Sequence, residues 1–131
     1  MKLLGIDYGT KRIGLAVSDE GATLAFPKII IANDAETFEK VGKVLKEENI
    51  SEIVIGESED FSGRENELMV FIRDFVARAG AEFGLPVHLE KEFLTSVEAR
   101  KSQPEAERVD ASAAALILQR YLDRINKAKN K

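Results

Sequence analysis

The residues able to do chemistry in this sequence are acids placed at the ends of apolar runs: Asp7, then Glu90 or Glu92, then Asp110. Asp7 closes residues 2–7 (KLLGID), and Glu92 lies near the end of residues 86–93 (PVHLEKEF). In an open α/β sheet, ligands gather outside the carboxyl ends of parallel strands, so acids there are the first candidates. Glu90 and Glu92 are two residues apart and share a side of the pleat, and the residues alone leave open which of them faces a site. Asp110 lies four residues before Ala114 and seven before Ile117, so it extends the apolar stripe of the last helix toward that helix's N-terminus. Three such acids with no matching lysine or arginine would repel one another unless a hard divalent cation neutralised them, and Mg2+ or Mn2+ is the natural guest. Two such ions about 4 Å apart activate water and stabilise the leaving oxygen of a phosphodiester. Hydrolysis of nucleic acid is therefore the leading reading. Each acid also has a structural alternative: Asp7 as a turn former, Glu90 and Glu92 as solvated strand-end residues, Asp110 as a helix N-cap.

Thr10, Lys11 and Arg12 follow Asp7 in the turn YGTKR, where side-chain and backbone donors could hold a phosphate beside the scissile bond. The alternative is that an exposed turn is simply polar. His88 is the sole histidine, with no second histidine to build a metal site, so a structural role is expected. Glu57 to Glu67 holds five acids against Arg64, but their spacing does not match a calcium loop and a solvated loop is the better reading.

Positioning these groups requires a particular order of elements. Residues 2–7 and 13–18 (IGLAVS) suit two antiparallel strands joined by a turn. Residues 24–32 (LAFPKIIIA) give a third, with Pro27 favouring a sheet edge. Asn33 followed by Glu36 reads as a capping box, opening a first helix that carries Phe38, Val41, Val44 and Leu45 to about Glu48. The compact run EIVIGE at 52–57 predicts a central strand buried on both faces. Leu68, Ile72, Phe75, Val76 and Ala79 mark a second helix, and the strand at 86–93 follows. Thr95 and Glu98 form another capping pattern, and a final helix carries Ala114, Ile117, Leu118, Tyr121, Leu122 and Ile125. The order βββαβαβ then helix predicts a mixed α/β sheet of five strands, the first three antiparallel, with helices on both faces.

The bulk numbers fit this plan. A chain of 131 residues holds one such domain, expected to span 1–131, with a frayed basic tail from about 126. It has no cysteine, which excludes disulfides and thiolate zinc sites. Neither a signal peptide nor a membrane-spanning run is visible, so a cytoplasmic protein is expected. The net charge of −4 argues against coating nucleic acid through bulk positive charge and leaves that role to local clusters. Residues 120–131 hold five basic side chains against one acid, which could track phosphates or simply complement a helix C-terminus.

The segment GIDYGTKRIGLAVSD at 5–19 closely resembles the opening signature of the YqgF family, also called RuvX-like, of pre-16S ribosomal RNA nucleases and Holliday-junction-resolvase-like proteins. IVIG at 53–56 resembles that family's central strand, EFLTS at 92–96 its ERLTT segment, and DASAAALILQRYL at 110–122 its closing DxxAAxxIL helix. The resemblance implies a ribonuclease-H-like fold with three metal-binding catalytic acids at Asp7, Glu92 and Asp110, selecting Glu92 over Glu90. It also implies processing of the 5′ end of precursor 16S ribosomal RNA, with cleavage of branched DNA as the alternative, by a monomer or weak homodimer. The sequence departs from the family at Lys91 and Phe93, which stand where an aspartate and an arginine are usual. Gly56, Glu57 and Ser58 replace its GLP, and the loop continues with Glu59 and Asp60 toward Gly63. Arg100, Lys101 and Arg108, in a loop often strongly basic in the family, are offset by Glu105 and Glu107. These changes admit a rival, a non-catalytic RNA-binding or assembly factor on the same fold. Asp7, Gly9 and Thr10 also resemble the phosphate hairpin of actin-like ATPases and sugar kinases, but those need two domains and this chain has length for one.

Overall fold

The computed structural model describes residues 1–57, 67–91 and 111–129. Its elements are β1 (Lys2–Tyr8), β2 (Arg12–Ser18), β3 (Ala25–Ala32), α1 (Thr37–Glu47), β4 (Ile50–Glu57), α2 (Leu68–Phe83), β5 (Val87–Lys91) and α3 (Ala111–Lys129). The strands form one sheet in the order β3-β2-β1-β4-β5. β1 pairs antiparallel with β2, and β2 with β3, whereas β4 lies parallel to both β1 and β5. The expected mixed five-stranded sheet is thus present, with Pro27 on the edge strand β3.

Strand alternation divides the core in two. Leu4, Ile6, Ile13, Leu15, Ile53 and Ile55 point to one face and are covered by Val41, Val44 and Leu45 of α1 and Met69, Ile72, Phe75 and Ala79 of α2. Leu3, Ala16 and Val54 point to the other and meet Ala114, Ile117, Leu118 and Leu122 of α3. Each such large side chain taken out of water contributes roughly 1.5–3 kcal/mol before entropy is counted. Burial on both faces explains why the β1 and β4 sequences are nearly continuous apolar runs. Among the described residues, no helix is long and apolar enough to cross a membrane.

The capping box expected at Asn33 and Glu36 does not form. Helix α1 starts at Thr37, and its N-cap Glu36 makes no side-chain capping bond. Asp34 Oδ1 instead accepts from the Glu36 amide, and the Asp34 amide donates to Thr37 Oγ1, each at 2.9 Å. Asn33 turns its side chain to a hairpin loop in a different part of the sheet. The capping pattern at Thr95 and Glu98 lies outside the described residues. The basic segment expected to fray from about 126 continues as helix to Lys129.

Candidate nuclease site

Asp7 sits near the carboxyl end of β1, the middle strand, with only 8% of its surface exposed. It alternates with Leu3 and Gly5 and so faces α3. Gly5 is what allows that helix so close. A Cβ there would lie 2.7 Å from Leu118 Cβ and 2.9 Å from the Ala114 carbonyl oxygen, so α3 rests almost on the strand backbone. The direction of α3 follows from its polar contacts. Gln119 reaches the Ala25 amide and the Thr23 carbonyl, and Asn126 donates to the Ala22 carbonyl, all at the end of the sheet where β1 begins. The N-terminus of α3 therefore lies toward the Asp7 end. Asp110 is outside the described residues; in the chain it directly precedes Ala111, the first residue of α3.

The neighbours of Asp7 on the sheet carry no side chains. Across β2 its partner is Gly14; the β1/β4 register ends with Ile6 opposite Ile55, and one residue beyond that pair Asp7 and Gly56 fall on the same face. Partners across a sheet share a face, so neither neighbour puts a side chain beside the carboxylate. Glycine in a strand interior commonly marks such a place of close approach.

One strand further, Gly56 pairs with Glu90. Glu90 is 6% exposed and forms a close ion pair with Arg124, with the Arg120 Nε 4.0 Å from its other oxygen. Two guanidinium groups from α3 thus hold this carboxylate in a structural role. Glu92 lies outside the described residues. Among the described residues, no group of three or more His, Asp or Glu side chains is placed to hold a metal, and the predicted ligands Glu92 and Asp110 lie outside them.

Thr10, Lys11 and Arg12 are exposed at the β1–β2 turn. Arg12 alternates with Gly14 and so belongs to the face that carries Asp7. His88 has the expected structural surroundings: its Nε2 lies 2.6 Å from Glu52 Oε1, and its ring stacks on Tyr121 with centroids 5.2 Å apart. Burial, reinforced by the Glu52 charge, raises the Tyr121 hydroxyl above its ordinary pKa of 10.0, so it stays protonated. Asn33, Gly14 and Gly56 are the residues that sequence reasoning passed over. The two glycines carried a signal, since each interrupts a β-rich apolar run.

Comparison with known proteins bears on this arrangement. The chain superposes on the Thermus thermophilus RuvC bound to a Holliday junction substrate with a TM-score of 0.57, 22% identity and coverage of 95% of this chain and 96% of that one. For the fowlpox virus resolvase in complex with Holliday junction DNA the TM-score is 0.58 at 12% identity, covering 95% and 99%. At such identities the likeness shows the fold, that of RuvC-like ribonuclease-H proteins. Three relatives are each described as "Putative pre-16S rRNA nuclease". That of Oenococcus oeni is 36% identical, covering 99% of both chains. That of Nitratidesulfovibrio vulgaris is 38% identical over 94% of each, and that of Sulfurihydrogenibium sp. is 34% identical over 95% of this chain and 92% of its own. A family profile described as "RuvX: Holliday junction resolvase" matches residues 1–124. On both sequence and fold, this chain belongs to the RuvX, or YqgF, family.

Proposed function

We propose that this chain is a divalent-metal-dependent endonuclease of structured nucleic acid, acting on the 5′ region of precursor 16S ribosomal RNA, with Asp7, Glu92 and Asp110 as its catalytic metal ligands. The observation that carries this reading is Asp7: a nearly buried carboxylate at the end of the central strand, flanked by Gly14 and Gly56, beside the helix whose first residue adjoins Asp110. An all-oxygen donor set of three acids suits Mg2+ or Mn2+. When bound, such an ion supplies water activation and charge stabilisation at the phosphorus. The protein's own part is to bring the three acids together. Gly14, beside Asp7, adds no side chain to crowd the phosphodiester, and Thr10, Lys11 and Arg12 bind a neighbouring phosphate. The names of the relatives favour RNA, whereas the family description favours a four-way DNA junction, which makes the junction the second substrate to test.

The test compares wild type with Asp7→Asn on a precursor 16S RNA fragment and on a four-way DNA junction, with Mg2+ or Mn2+. Thermal melts with and without Mn2+ accompany it. Cleavage of the RNA by wild type alone, and Mn2+ stabilisation of wild type alone, are expected. Equal product from both proteins would remove the mechanism. Product from the junction only would make the protein a resolvase, and no product from either substrate would favour the non-catalytic assembly factor.

A further inference from the structure

We propose that Asn33 is a positioning residue that fixes the Gly9–Thr10 peptide so that the Thr10 N–H is presented to a phosphate oxygen of the nucleic acid. This rests on the phosphate-binding role given above to the β1–β2 turn. Asn33 grips that turn twice: its Nδ2 donates to the Gly9 carbonyl and its backbone N–H to the Lys11 carbonyl, both at 2.9 Å. The amide is itself oriented, because Thr37 Oγ1 lies 3.1 Å from Asn33 Oδ1, nearer than the 3.4 Å to its other acceptor, the Ala32 carbonyl. Thr37 is only 3% exposed and is the first residue of α1, so the anchor is rigid.

The consequence is geometric. In a planar trans peptide the C=O and the following N–H point in opposite directions. With the Gly9 carbonyl drawn to Asn33, the Thr10 N–H is aimed away from β3. β4 and the Asp7–Gly56 level lie on the far side of β1 from β2 and β3. Lacking a Cβ, Gly9 would let this peptide flip readily. Asn33 removes that freedom, so the turn is set for a phosphate before one arrives. Thr10 and Lys11 are both exposed.

The experiment uses the full chain as wild type, Asn33→Ala and Thr37→Val. The Thr10 amide resonance is followed by 15N–1H NMR during titration with inorganic phosphate and with a hairpin RNA, without divalent metal so that no cleavage intervenes. In wild type a single Thr10 resonance should shift on titration. In Asn33→Ala it should broaden or split, and RNA affinity should fall roughly 3- to 10-fold, the loss of one hydrogen bond. Thr37→Val, which keeps the Asn33 donor but frees its orientation, should fall between. Where the metal-dependent enzyme cleaves, KM should rise by the same factor with kcat nearly unchanged. A single Thr10 resonance in Asn33→Ala with an unchanged titration shift would overturn the proposal. So would an affinity loss that merely tracks loss of folded protein in thermal melts. The NMR readout stands even if the wild type cleaves nothing, which separates failure of this inference from failure of the nuclease reading.

Discussion

Replacing Gly5 with alanine tests whether α3 lies where the site requires it. The new methyl would meet Leu118 Cβ at 2.7 Å and the Ala114 carbonyl oxygen at 2.9 Å, against an ordinary separation of about 3.5–4.0 Å. Neither atom can swing aside by a rotamer change, so the helix must lift by about 1 Å. Overpacking of this kind costs about 1–3 kcal/mol. An unfolding entropy of about 2.1 cal/mol/K per residue gives ~0.28 kcal/mol/K for a chain of 131 residues. The Tm should therefore fall by about 4–11 °C. Given a stability of about 5–15 kcal/mol, more than ~95% of the protein stays folded at 25 °C. On the proposed function, which sets a catalytic acid next to the first residue of α3 in the chain, cleavage should fall much further, because a shift of about 1 Å in a catalytic group costs on the order of 100-fold. Parallel melts and single-turnover cleavage assays read both quantities. A wild-type Tm would refute the packing of α3 on β1. A lowered Tm with full activity would show that the start of α3 takes no part in the reaction.

Two further changes probe the surroundings. Gly14→Ala sets a methyl about 4.5–5.5 Å from the Asp7 Cβ while removing a flexible residue from a strand. Apo stability should hold or rise, and Mn2+ stabilisation and cleavage should drop about tenfold; an unchanged Mn2+ titration would show that the space is unused. Glu48 is held below its ordinary pKa of 4.5 by hydrogen bonds from Lys2 and then Lys28, and bonds from the Leu24 and Thr23 amides and the Thr23 hydroxyl lower Asp19 from 3.8 to about 2. Both groups are more acidic when folded, so their stabilisation is complete above those ordinary values and is lost as pH falls through the folded ones. Urea midpoints measured from pH 7 to 2 should decline below about pH 4.5, and less steeply in Glu48→Gln; superimposable slopes would disprove the linkage.

The sheet was legible because its signals are local. β-branched runs of strand length, a turn between the first two and a proline in the third suffice for the order and the edge. Asp7 could be found from its place at the end of the first run. The role of Asn33 could not, since the carbonyl it holds is 24 residues upstream and a capping pattern sees only the next few residues. Choosing between Glu90 and Glu92 ran into the same obstacle. The guanidinium groups that engage Glu90 come from the last helix, Arg124 being 34 residues away, and pleat parity treats both glutamates alike. That Asp7 has a neighbour without a side chain emerged only once register placed Gly14 next to it.

Helix α3 is the last of these elements to leave the ribosome, yet it covers the core on one face of the sheet. Until it docks, Leu3, Ala16 and Val54 stand open to water. A nascent chain can complete its strands and still lack a working pocket. On the proposed function, each half-made copy is silent toward the ribosomal RNA that surrounds it, and cutting begins only after synthesis has passed the closing helix.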